Sequence, residues 1–306
     1  MNIENLSKND LKQLATKLKK EKNAVILVHN YQLLEVQAIA DFVGDSLQLA
    51  KEAARTDAEI ILFCGVLFMA ETAKILSPKK TVLLSHPNAG CPMADMITAT
   101  QLRELKSQYP NAEVVCYVNS SAAVKAESTV CCTSSNAVEI VGSIAKEKKI
   151  IFVPDKNLGA YAAKKTGRDL LLWNGFCIVH HQITYQDVKI AREKYPDYLL
   201  IVHPECKPEV CKYADAVGST SQITKFVKLH EKVIIGTEIG LFHQLVQKYP
   251  EKKLVPLSEK MLCKNMKKTD LQTAIATLLE ERNEISLPAK IIENAQTSLE
   301  RMLLFS

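Results

Sequence analysis

Cys177, which closes the segment Trp173-Asn174-Gly175-Phe176-Cys177, stands 86 residues after Cys91 and 86 residues before Cys263. With nine cysteines among 306 residues, one such match would carry little. Two equal steps, each ending just beyond an apolar run, point instead to three similar units, each delivering one thiol to a shared centre.

The pattern between the cysteines repeats in the same order. In the first unit, an amphipathic helix over 5–22 (Leu6, Leu11, Leu14 and Leu18 among lysines) precedes a strand over Val25–Val28 that ends in His29-Asn30-Tyr31. A helix opens at Gly44-Asp45-Ser46, a strand follows over Ile60–Cys64, then a helix over Phe68–Leu76, and a strand over Thr81–Ser85 leads to Cys91. The second unit runs from a strand over Val114–Val118 through a helix opened by Thr133–Asn136, a strand over Ile150–Val153 and a short strand over Leu170–Leu172 to Cys177. The third has strands over Leu199–Val202, Val233–Ile235 and Leu254–Val255, a helix opened by Gly218–Gln222, and Cys263. Strands alternating with helices predict parallel sheets covered by helices: three αβα units, 1–91, 92–177 and 178–263, around a pseudo-threefold axis. A helical tail, 264–306, is expected to pack back on the first unit.

In such sheets ligands collect at the carboxyl ends of the strands, where three kinds of side chain recur. The thiols of Cys91, Cys177 and Cys263 would form a three-thiolate nest. Local spacing gives no zinc signature, and the nest suits either zinc with a fourth ligand or a cubane iron–sulfur cluster with one iron left open as a Lewis acid. Hydroxyls stand at the three helix starts: Ser46, Ser134, and Ser219 with Thr220. Each alone reads as an N-cap, whereas three helix N-termini aimed at one centre would hold a phosphate or a small polycarboxylate. The first-strand tips carry His29 and Tyr31, Tyr117 and Asn119, then His203 and Glu205. His29, Asn119 and His203 are expected to bond substrate, and Tyr31 and Glu205 to transfer protons.

Composition narrows the setting. A hydrophobic content of 47% with 24% charge is ordinary for a globular chain, and no apolar stretch approaches the roughly 18 residues of a membrane helix. An odd number of cysteines in a chain of this size argues for reduced thiols or metal ligation in a reducing, cytoplasmic compartment. The net charge of +5 is spread over scattered lysine pairs, which points to no nucleic-acid partner. Cys64 and Cys116 lie inside predicted strands and are expected in the core; Cys131, Cys132, Cys206 and Cys211 fall outside the repeat.

The segments VHNYQ, GDSLQLA, CGVLFMAETAKIL, GCPMAD, CYVNSSAAVKAE, CCTSSNA, FVPDKNLGAY, WNGFC, HPEC, ADAVGSTSQI, GTEIG and MLCKNMKKT together resemble the quinolinate synthase family of NAD biosynthesis over nearly the whole chain. The resemblance implies one [4Fe–4S] cluster on Cys91, Cys177 and Cys263, with its fourth iron open to substrate. It implies condensation of iminoaspartate with dihydroxyacetone phosphate to give quinolinate, with loss of phosphate and water, and functional coupling to an enzyme that makes iminoaspartate. By position, His29, Ser46, Tyr117, Asn119, Ser134, His203, Ser219 and Thr220 would bind substrate, with Tyr31, Glu205 and His203 catalytic. Longer members carry CxxCxxC at the third ligand; Cys263-Lys264-Asn265-Met266 resembles the shorter branch. Two rival readings remain: a zinc-dependent lyase or hydrolase on the same thiols and, from another class, a non-catalytic iron–sulfur sensor of an anionic metabolite.

Overall fold

A computed structural model describes residues 3–305. Twelve strands form three parallel four-stranded sheets. The first holds β1 (Ala24–His29), β2 (Phe42–Gly44), β3 (Ile60–Cys64) and β4 (Thr81–Leu84) in the order β2-β1-β3-β4. The second holds β5 (Glu113–Tyr117), β6 (Val130–Cys132), β7 (Ile150–Val153) and β8 (Leu170–Leu172) in the order β6-β5-β7-β8. The third holds β9 (Leu199–Val202), β10 (Ala216–Val217), β11 (Lys232–Gly236) and β12 (Lys253–Pro256) in the order β10-β9-β11-β12. The expected α/β architecture of three like units is therefore present, with one strand order used three times.

Every residue of the central strands β3 and β7 is buried. That fits parallel sheets covered by helices on both faces, and it explains why these strands read as unbroken apolar runs. The strand order reverses between the first and third strands of each sheet, so the loops leaving them open a crevice at their carboxyl ends. The edge strands β2, β6 and β10 have only three, three and two residues, too few to show a period of two. They do not stand out in the sequence for that reason.

The tail supplies two helices. Leu271–Glu280 buries Leu271, Ala274, Ile275 and Leu278 in the same apolar cluster as Leu11, Leu14 and Leu18 of the opening helix Lys8–Glu21. Ala289–Leu303 packs instead against Leu67–Leu76, Ala122–Ala126 and β6, straddling the first and second units. Its Ser298 hydroxyl donates to the Lys125 carbonyl at 3.0 Å. Cys64 and Cys116 are fully buried in β3 and β5, and Cys131 and Cys132 in β6.

Candidate active site

The last strand of each sheet runs into a turn that carries one cysteine. Two residues before each thiol the same backbone bond closes the turn onto the helix that follows the sheet's third strand. Leu67 N–H donates to Ala89 O at 2.7 Å, Lys156 N–H to Gly175 O at 2.9 Å and Ile239 N–H to Met261 O at 2.8 Å. Gly175 is required there, because a Cβ at that position would lie 2.5 Å from the Pro154 carbonyl oxygen. Trp173 of the same segment anchors on the second unit's first turn, its indole N–H donating to Met96 O at 2.8 Å.

Cys91, Cys177 and Cys263 all line one cavity of about 710 Å³. Backbone N–H groups two or three residues ahead face each sulfur: Met93 and Ala94 at Cys91, His180 at Cys177, Asn265 and Met266 at Cys263. Burial nevertheless raises all three thiols, Cys91 to about 12 and Cys177 well above the usual range. Such sulfurs ionise when a bound cation supplies the missing charge. The donor set therefore fits a thiolate-held metal centre.

His29, Tyr31, Tyr117, Asn119, His203 and Glu205, the three pairs of first-strand tips, line the same cavity. Within it a chain of hydrogen bonds crosses all three units. Tyr31 Oη meets Thr237 Oγ1 at 2.8 Å, Thr237 Oγ1 meets His180 Nε2 at 3.0 Å, His180 Nδ1 meets Glu205 Oε2 at 2.7 Å, and Tyr117 Oη donates to Glu205 Oε1 at 2.7 Å. Burial alone would raise Glu205, but the neighbouring imidazoles of His203 and His180 and the bonds from His180 and Tyr117 bring it down to about 2. Burial raises Tyr31 and Tyr117 well above the usual phenol range, with the Glu205 charge adding to the effect.

His29 and His203 are held neutral. Burial brings each down to about 3, with Lys267 contributing at His29. Each accepts, at Nδ1, the backbone N–H two residues on: Tyr31 at 3.1 Å and Glu205 at 3.3 Å. A neutral ring bonded in this way carries its proton on Nε2. Asn119 Oδ1 is buried with no partner among the described residues, as expected of an atom that a ligand would satisfy.

The far side of the cavity is lined by Asp45, Ser46, Thr133, Ser134, Ser135 and Thr220. Here the structure separates capping from ligand-facing groups. Asp45 caps the helix Ser46–Arg55, and Ser219 caps Thr220–Leu229, each through a reciprocal box with a glutamine three residues on. Ser46 and Thr220 are thus first helical residues rather than caps. Ser219, fully buried, points its hydroxyl at Gln222 N and at Ser135 and Ser221, and is not among the cavity-lining residues. Ser135 Oγ joins Ser219 Oγ at 2.9 Å and Asp45 Oδ2 at 3.0 Å, so the three units meet at this triangle. Asn30 Nδ2 donates to Thr220 Oγ1 at 3.1 Å across the first and third units.

Sequence reasoning passed over His180, Thr237, Asp45 and Glu238, all placed in or against the cavity. His180 was detectable only as the residue three positions after Cys177 on the same turn. Cys177, His180 and Glu205 place ligand atoms all within 4.8 Å of one another, so these three could hold a metal ion. Among the described residues the three thiols do not form so tight a group, and they sit more widely around the cavity wall.

The fold and this site define a class: a three-unit α/β protein with a metal-competent cavity, lined by titratable groups, where its units meet. Residues 13–304 match the protein family described as Quinolinate synthetase A protein. Relatives named quinolinate synthase are 53% identical over 290 residues in Alkaliphilus metalliredigens (94% of this chain, 95% of the relative) and 51% identical over 306 residues in Caldicellulosiruptor bescii (99% of each). One from Methanoregula boonei is 50% identical over 295 residues, covering 96% of this chain and 97% of its own. The chain belongs to the quinolinate synthetase A family, whose named members are enzymes of NAD biosynthesis. Among the described residues no helix is long and apolar enough to cross a membrane.

Proposed function

We propose that this chain condenses iminoaspartate with dihydroxyacetone phosphate to quinolinate, phosphate and water, with one [4Fe–4S] cluster on Cys91, Cys177 and Cys263. The observation that carries this reading is the convergence, on one cavity, of three half-buried thiols with the polar first-strand tips and the hydroxyl residues Ser46, Ser134 and Thr220. A cluster suits the wide setting better than zinc alone, since a tetrahedral zinc with bonds of about 2.3 Å needs its sulfurs about 3.8 Å apart. When bound, a cluster with one iron not held by a thiol supplies a Lewis acid for a hydroxyl or carbonyl oxygen of the substrate.

The protein's own groups account for the rest. Ser46 and Thr220, the first residues of their helices, and Ser134, which the structure places in the turn before the helix Ala137–Ser143 rather than at its start, hold the phosphate and receive it as a leaving group when the iminoaspartate carbon attacks. Ser219 supports them by capping its helix and positioning Ser135. Neutral His29 and His203 donate from Nε2 to substrate oxygens, beside the unpartnered Asn119 Oδ1. Glu205, ionised, takes a proton from carbon or nitrogen. Tyr117 and the chain through His180 and Thr237 to Tyr31 return protons to the departing water. The reading places the enzyme in the cytoplasm, supplied by an enzyme that makes iminoaspartate, with functional units at 1–91, 92–177 and 178–263.

The compact Cys177–His180–Glu205 group supports a second reading, a single zinc-like ion in a lyase. One anaerobic experiment separates the two. Iron and acid-labile sulfide are counted per chain, then both substrates are added and quinolinate is sought. Four irons and four sulfides with product support the first reading. A colourless protein with one zinc and no quinolinate supports the second.

A further inference from the structure

The three cysteine turns are not held alike. The shared backbone bonds at Leu67, Lys156 and Ile239 make Val66, Asp155 and Glu238 structurally equivalent, each standing just before its helix. Asp155 and Glu238 are fully buried and each uses both carboxylate oxygens. Asp155 Oδ1 accepts from Leu158 N–H at 2.8 Å while Oδ2 accepts from the N–H of Cys177 at 3.1 Å. Glu238 Oε2 accepts from Gly240 N–H at 2.7 Å while Oε1 accepts from the N–H of Cys263 at 3.0 Å. Lys267 Nζ lies 2.8 Å from Glu238 Oε1 and also donates to the Tyr31 carbonyl, which ties this clamp to the first unit. In the first unit the position is Val66, which has no acceptor to offer Cys91.

We propose that Asp155 and Glu238 are positioning residues that clamp the Cys177 and Cys263 turns to their helix starts, leaving Cys91 as the unclamped ligand of the three. A carboxylate bridging a helix's free N–H and a ligand's peptide N–H fixes the ligand before metal arrives, so less ordering is left to binding. The inference rests on the three-thiol reading above.

Asp155→Asn and Glu238→Gln test it with little change of volume. An amide has one acceptor oxygen, so in each variant one of the two N–H groups faces an NH₂ donor. Holoprotein, purified anaerobically, is challenged with excess chelator and iron release is timed; amide hydrogen exchange is then followed at all three cysteines in the metal-stripped protein. The expected result is release about 10- to 100-fold faster in each variant, with exchange accelerated at that variant's own cysteine alone. In the wild type, Cys91 should exchange fastest of the three. The two variants are independent, so a failure of one to fold leaves the other to decide. Unchanged iron release in a folded, loaded variant overturns the clamp, even if exchange is faster. Wild-type protein that takes up no iron overturns the three-thiol reading, and the inference with it.

Discussion

The two walls of the cavity are built by the same topology and carry opposite kinds of side chain. On the hydroxyl side the chain passes from the edge strand almost directly into a helix, from Gly44 to Ser46 and from Val217 to Thr220, so backbone N–H groups and small hydroxyls face the cavity. On the thiol side, Cys91, Cys177 and Cys263 come several residues after β4, β8 and β12 and offer a soft side chain, Cys91 and Cys263 from non-helical turns and Cys177 from the N-cap position of the short helix Ile178–His181. The hydroxyl wall stays close to threefold, with reciprocal capping by Asp45–Gln48 and Ser219–Gln222 and a related Thr133–Asn136 contact. The thiol wall is not threefold, because His180 reaches Cys177 alone and carboxylates hold only two of the three turns. A repeated fold supplies a nearly symmetric wall of hydroxyls, and substitution within the repeat makes the thiol wall directional.

Substitutions on the thiol wall should give the largest effects. Cys177→Ala is expected to lower bound iron about tenfold or more, measured as iron and sulfide per chain. Full loading would remove Cys177 from the ligand set and leave the walls chemically alike. Glu205→Gln stands between the walls. It should keep the iron and lose about 10²–10⁴ in turnover, since the amide can neither take a proton nor accept from both Tyr117 and His180. Wild-type turnover in this variant would take Glu205 out of the chemistry.

Much of this contrast was legible in the sequence. The spacing of Cys91, Cys177 and Cys263 gave the three units, because a repeat that delivers one residue per unit leaves an arithmetic trace. The strand ends at His29, Tyr117 and His203 were readable because parallel strands are apolar runs that stop abruptly at polar tips. Symmetry could not reveal the exceptions to itself. His180, Thr237 and the clamps Asp155 and Glu238 have no counterpart of the same type in every unit, so no period marks them. Ser46 and Thr220 were hard to tell from caps for another reason. One residue separates a cap from a first helical position, and only the observed Asp45 and Ser219 bonds decide between them.

Smaller effects are expected on the hydroxyl wall. Among the described residues Ser134 Oγ has no protein partner, so Ser134→Ala should leave stability and iron content unchanged. It should raise KM for the phosphate-bearing substrate by about 10- to 100-fold, the worth of one hydrogen bond to a charged group at about 1.5–3 kcal/mol. An equal loss with both substrates would show that the anion seat is not separate from the rest of the cavity.

The smallest effect concerns the neutral rings of His29 and His203. His29 and His203 lie at about 3 in the folded chain against an ordinary 6.5, so the folded protein stays unprotonated there while the unfolded chain takes up protons below pH 6.5. The unfolded state then binds more protons, and stability falls as pH drops from about 6.5 toward 3. Between pH 7.5 and 5.5 the loss should be about 1.4 kcal/mol for each ring, readable by urea unfolding of the metal-free chain. Ordinary surface carboxylates titrate below this window; His181, also shifted down, and Cys116, brought down to about 7, add losses of the same sign, whereas Asp155, raised by burial, works in the opposite direction. Ring ¹⁵N shifts should report both buried histidines as neutral at pH 5.5 with the proton on Nε2. A midpoint near 6.5 for either ring would mean that it is solvated, and burial would then not be what keeps it neutral.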